Sequence, residues 1–244
     1  SGGGYGGIGG TGYSGPSGGG TYGSITQPVY LGSGGGAGDN NYGNAYSNGG
    51  AGGGTIKINV TDTLTVNGTI ASNGGAGYST YCNNDAGGGG SGGSVWVITD
   101  KIQGIGSITA NGGASACGGY GGGGGAGRVA VYYNTDTFTG SGNIQSKGAA
   151  GHSSDGGAGS IYLKYSAQDL GDVIYDNGDL TSNAGTTVNG NLIFDSLLLT
   201  NGADLRSVSL ISLTQELLVN SSGRILSNVN ITAQNVTILS TASI

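Results

Sequence analysis

The chain has 244 residues, 59 of them glycine, with 8% charged residues and a formal net charge of −6; an ordinary globular domain carries charge on about a quarter of its residues. Its four lysines and three arginines stand singly, so there is no basic stripe to neutralise phosphates, and nucleic acid is not an expected partner. No run of about 18 apolar residues occurs, which argues against a membrane span.

Only Gly190, Gly202 and Gly223 lie after residue 187, and this composition break divides the chain. Residues 1–54 are a glycine- and tyrosine-rich segment. Residues 55–187 carry apolar strands between long glycine runs, and residues 188–244 have only Asn, Ser and Gly turns between apolar strands. In the first segment Tyr5, Tyr13, Tyr22, Tyr30, Tyr42 and Tyr46 are spaced through glycine, and SITQPVYLGSGGGAG (residues 24–38) reads as a strand entering a glycine turn. The segment is expected to be ordered and packed beside the first coils, because extended glycine strands can approach as closely as polyproline II helices do.

Next come GGAGGGTIKINV, GGGGSGGSVWVIT, GGGGGAGRVAVYY and GGAGSIYLKY, each a glycine run feeding a strand of period-two alternation. Alternation places Ile56, Ile58, Val60, Val95, Val97, Val129, Val131, Ile161 and Leu163 inward, and Trp96, Tyr132 and Tyr162 on the opposite face as an expected aromatic ladder.

A recurring unit ties the chain together. An anchor (Ile70, Ile108, Ile144, Leu180, Leu205, Ile225, Ile244) is preceded six places earlier by Leu64, Ile102, Phe138, Ile174, Leu199, Val219 and Ile238, and two places earlier by Gly or Ala. The anchors are separated by 38, 36, 36, 25, 20 and 19 residues, by subtraction of their numbers. Such repeats signal stacked units, none of which buries its apolar face alone. The expected fold is all-β: a parallel β-solenoid (β-helix) whose core ladder is these fourteen residues, with the glycine-rich excursions as a side layer on the amino-terminal coils. The start at Ser1 with no methionine leads us to expect a processed, extracellular protein. An end on the anchor Ile244 leads us to expect either a longer precursor or a bare coil met by another copy.

Cys82 and Cys117 lie in successive glycine excursions, and rungs about 4.8 Å apart would bring them within disulfide reach, so a Cys82–Cys117 bridge is expected. His152 adjoins Ser153, Ser154 and Asp155, but no nucleophile elbow is present. Twelve Asp and the single Glu216 are dispersed; with no paired carboxylates, no enzymatic activity and no cofactor are expected. Asp39-Asn40-Asn41 and Asn83-Asn84-Asp85 are read as turn residues before Ca²⁺ ligands.

TYGSITQPVYLGSGGGAG, GGAGGGTIKINVTDTLTVNGTIASNGGAG, GGGGSGGSVWVITDKIQGIGSITANGG and GGGGGAGRVAVYY resemble the glycine-rich parallel β-helix repeats of very large secreted and cell-surface adhesin-like proteins of environmental bacteria. The resemblance is close over residues 20–133 and loose beyond. It implies a surface location and no catalytic residues. The expected function is an extracellular structural protein that self-assembles end to end into a filament or matrix fibre. The alternative is a glycan- or receptor-binding module presenting Tyr5, Tyr13, Tyr22, Tyr42 and Tyr46.

Overall fold

The computed structural model describes residues 1–12, 17–38, 47–80, 86–117, 120–139, 143–180 and 185–244. These contain strands and extended segments but no α-helix. A nine-stranded sheet holds, in spatial order, β18 (Asn235–Ile238), β15 (Glu216–Val219), β13 (Ser196–Thr200), β11 (Asp172–Asp176), β10 (Ser160–Tyr165), β7 (Arg128–Tyr133), β5 (Ser94–Gly104) and β2 (Thr55–Thr65), with β8 (Thr135–Phe138) also beside β5. A second sheet pairs β12 (Thr186–Phe194), β14 (Asp204–Leu213), β16 (Arg224–Leu226) and β17 (Asn230–Thr232). A third pairs β3 (Thr69–Ala71), β6 (Ser107–Thr109) and β9 (Ile144–Gln145). A two-residue antiparallel pair joins β1 (Ser47–Asn48) to β4 (Tyr78–Ser79).

The registers repeat the sequence unit. Leu64 stands beside Ile102, and Ile70 beside Ile108 and then Ile144. Tyr175, Leu199, Val219 and Ile238 form one row, and Leu205 stands beside Ile225. Beyond residue 187 the parallel partners lie 19 or 20 positions apart, as in Leu192 with Ile211 and Ile211 with Ile231, except at the irregularity where Gly190 stands beside Val208.

The expected single parallel column is not what forms. β10 and β11 are antiparallel, with Ile161 opposite Ile174, because only residues 166–171 join them and a parallel crossover needs a dozen residues or more. Gly171 closes the turn at φ +80, where a Cβ would meet the Tyr162 ring at 2.9 Å. Asp195 fixes the turn by accepting hydrogen bonds from the Leu170 and Gly171 N–H groups at 3.1 and 2.8 Å. A second departure lies at Phe138, which stands beside Gly104 while Ile102 stands beside Asp136. A slip of two residues preserves the face and puts the buried ring against a residue with no side chain. The apolar interior is accordingly two clusters. One holds Ile102, Ile108 and Phe138 with Leu64, Ile70, Ile144 and Ile174 packed against it; the other holds Tyr175, Leu199, Leu205, Val219 and Ile225. Leu180 is half-buried and outside any strand, and Ile238 and Ile244 are about half exposed.

The glycine runs build a lattice of their own. The N–H groups of Gly88, Gly89 and Gly90 donate to the carbonyls of Gly36, Gly122 and Gly75 at 2.9, 3.0 and 2.9 Å; those of Ser91, Gly92 and Gly93 donate to Ser33, Gly125 and Ser72 at 2.9, 3.0 and 2.8 Å. Every third donor therefore returns to the same neighbour. That is the period of polyproline II, not the period of two of a β-strand. The same rotation recurs along residues 123–127, where Gly123 and Ala126 donate to residues 154 and 157, Gly124 and Gly127 to residues 113 and 110, and Gly125 to Gly3. Arms entering β5 and β7 run parallel to each other and antiparallel to the arms leaving β3 and β6. Arms from the first 53 residues add to the lattice: Gly3 donates to Gly89, Gly35 to Gly50 and Gly53 to Ser91. Residues 86–95 and 121–131 are buried, so this network satisfies backbone groups that water cannot reach.

Candidate functional site

Three surfaces bear on function, and the first is the row of aromatics on the large sheet. Trp96 lies 6.4 Å from Tyr132, Tyr132 5.5 Å from Tyr162, and Tyr162 5.9 Å from Phe194. These are tilted and edge-on arrangements that add to simple area burial. Lys57, one strand further out, holds its Nζ 3.7 Å above the Trp96 ring. Residues 24–27 lie across the row. The Tyr132 hydroxyl donates to the Thr26 carbonyl at 2.9 Å, and Ile25 packs into the core. The ladder expected from alternation is thus present, and within it Tyr162 is only 3% exposed, its hydroxyl donating to the Leu170 carbonyl.

Burial raises the phenol pKa of Tyr162, Tyr5, Tyr132 and Tyr133, and pushes Tyr175 up to about 12. Each is held neutral in the fold while an unfolded phenol ionises near 10.0. Their contribution to stability is therefore complete below pH 10 and is lost as pH rises through the folded values. In an alkaline titration the tyrosinate absorbance of these five phenols, the last of the fourteen tyrosines to ionise, is expected to appear together with loss of circular dichroism above pH 10; ionisation of all fourteen in an intact fold would contradict this.

Of the tyrosines proposed as surface contacts, Tyr5 is fully buried, with its hydroxyl 2.7 Å from Ser94 Oγ and its ring 4.7 Å from Tyr22. It is a packing residue. Tyr22, Ser94 and Arg128, which the fold brings to this ring from 17 to 123 positions away, are what the sequence did not reveal. Tyr22 is 38% exposed and donates to the Leu31 carbonyl. Tyr13, Tyr42 and Tyr46 lie outside the described residues, as do Cys82, and with it the expected bridge to Cys117, and the two Asp/Asn turns. Among the described residues no three of His, Cys, Asp and Glu converge as a metal-binding group. His152 Nδ1 stands 3.2 Å from Ser115 Oγ, and Asp155 Oδ1 accepts from the Gly151 N–H. In a nucleophilic triad Nδ1 faces the carboxylate, and here a serine holds that place.

The second surface is the pair of sheet ends. β2 and β18 each have one strand neighbour among the described residues. β2 is eleven residues long. Around β18, Leu226, Val236, Ile238, Leu239 and Ile244 are 44–49% exposed. Residues 225–244 contain no charged residue, whereas exposed strand edges are ordinarily guarded by Lys, Pro or a bulge. Just inside this rim the buried Asp204 accepts two hydrogen bonds from Arg224 at 2.7 and 2.6 Å, a clasp between successive rungs that alternation did not foretell.

The third surface is a cavity of about 360 Å³ between the strap and β12, lined by Thr21, Tyr22, Ile25, Arg128, Asn191 and Phe194 among others. Nothing in the spacing of the sequence marked Arg128, which the glycine run before it carries into the interior. Comparisons with family models, with curated proteins and with solved structures gave no match to this chain.

Proposed function

We propose that the protein is an extracellular structural subunit that polymerises end to end, the open edges of its large sheet joining one copy to the next in a filament or matrix fibre. In this reading residues 188–244 wind as a parallel β-solenoid with coils of 19–20 residues, and the glycine lattice stiffens the earlier coils. The carrying observation is the uncharged rim at β18, with five large apolar side chains about half exposed, at the opposite end of the sheet from the open edge of β2. A heterologous contact that does not close produces an open fibre.

The antiparallel β10/β11 pairing sets the geometry of such a joint. β18, β15, β13 and β11 run one way, and β10, β7, β5 and β2 the other. A copy translated along the sheet would therefore bring its β2 antiparallel to β18, repeating at each joint the pairing already present at the middle. The test is light scattering and negative-stain microscopy over a range of protein concentration. Growth into fibres of uniform width is expected, and a protein that stays monomeric at millimolar concentration overturns the proposal.

A further inference from the structure

Arg128 is 4% exposed, yet no carboxylate pairs with its guanidinium among the described residues. Its Nε donates to the Tyr22 carbonyl at 3.1 Å, one Nη donates to Ser160 Oγ at 2.9 Å, and the Tyr5 ring lies 5.6 Å away. Two neutral oxygens and an aromatic face leave the charge uncompensated, although an isolated buried charge is among the most costly things a fold can hold. The same side chain lines the cavity beneath the strap, and among the described residues no acidic side chain lies in its wall.

From these observations we infer that the cavity is a binding site for a singly charged carboxylate of monosaccharide size, a hexuronate, whose carboxylate meets Arg128. The guanidinium fork matches a planar carboxylate. The rest of the wall suits a hydroxylated ring. Tyr22 and Phe194 offer aromatic surface, Ile25 and Val188 apolar surface, and Thr26, Thr187 and Asn191 polar groups. The volume falls within the usual range for small-molecule sites, from about 300 Å³ upward. The net charge of −6 favours a monoanion over a polyanion, because the field of the whole chain repels the latter more strongly. The site is independent of the sheet edges, so its failure and that of the assembly reading are separate results.

The test is titration of the folded protein with sodium glucuronate, glucose and sodium acetate, followed by calorimetry and by amide chemical shifts of residues 21–26 and 187–191. Glucuronate is expected to bind at least tenfold more tightly than either glucose or acetate, with shifts confined to those residues. Asn191→Asp, a change at an exposed position that sets a second carboxylate at the mouth, is expected to weaken glucuronate at least tenfold. Arg128→Gln is expected to abolish binding, and if that variant does not fold the Asn191→Asp result decides. Acetate binding as tightly as glucuronate, glucose as tightly as glucuronate, no binding of glucuronate, or an unchanged affinity in Asn191→Asp would each overturn the inference.

Discussion

Gly124→Ala is expected to prevent folding or to remove more than about 3 kcal/mol of stability, a loss at the upper end for single substitutions. A Cβ at residue 124 would sit 2.0 Å from the Gly90 carbonyl oxygen and 2.6 Å from its carbon. Both are backbone atoms inside a lattice, so neither can turn aside as a side chain would. Relief requires the two arms to separate. The Gly124 N–H also donates to Gly113 at 2.9 Å, and the neighbouring Gly123 and Gly125 N–H groups are tied to residues 154 and 3. Parting one contact therefore strains bonds to three other segments, each worth about 1 kcal/mol net. Overpacking a side-chain core costs about 1–3 kcal/mol because neighbours shift into other rotamers; a glycine lattice has no rotamers to shift. Gly54→Ala is the control: nothing lies within 4 Å of its Cβ position, so a change within about 0.5 kcal/mol is expected. Chemical denaturation of both variants checks the pair. Equal midpoints would mean that the lattice does not bear on stability.

The parts of the fold that were legible in the sequence are those written in side chains. Val95, Val97, Val129 and Val131 alternate in the sequence and are at most 1% exposed, because a strand's two faces leave a mark at every second residue. Ile70, Ile108 and Ile144 stand in one row because the short strands around them are parallel and equally spaced. The reversal at Gly171 escaped because residues 144 and 180 are separated by the same 36 positions as residues 108 and 144. An anchor count does not record that six of those positions form a hairpin. The lattice escaped for a different reason: where most residues are glycine, the direction in which each N–H points leaves no trace in residue type. Tyr5 was misplaced with it, since the Tyr22, Ser94 and Arg128 side chains that meet its ring are brought there by the same arms. Arg128 looked like one of seven scattered cations, and only its position after a buried glycine arm makes it a charge without a counter-ion.

Ile238→Lys is expected to raise the concentration needed for fibre growth at least a hundredfold while leaving the monomer folded. In the monomer Ile238 ends the row of Tyr175, Leu199 and Val219 and is 47% exposed, so a lysine there can carry its stem along the apolar rim and its ammonium into water. The change in monomer stability is therefore expected to stay within about 1 kcal/mol. In a fibre the same position would be covered. The variant then loses the burial of an isoleucine, about 1.5–3 kcal/mol, and places a charge opposite an edge with no guaranteed partner; a hundredfold change corresponds to about 2.7 kcal/mol. Adding the variant in small amounts to unaltered protein tells apart the two ways an edge can be used. If β18 of one copy meets β2 of the next, the variant still docks through its intact β2, presents a spoiled β18 and stops growth at that end, so a few per cent should shorten fibres. If β18 meets only another β18, the contact closes on itself, so the unaltered protein stops at a dimer and there is no fibre for the variant to shorten. Shortened fibres are the result expected from the head-to-tail joint, and undiminished growth of pure Ile238→Lys would remove β18 from the interface altogether.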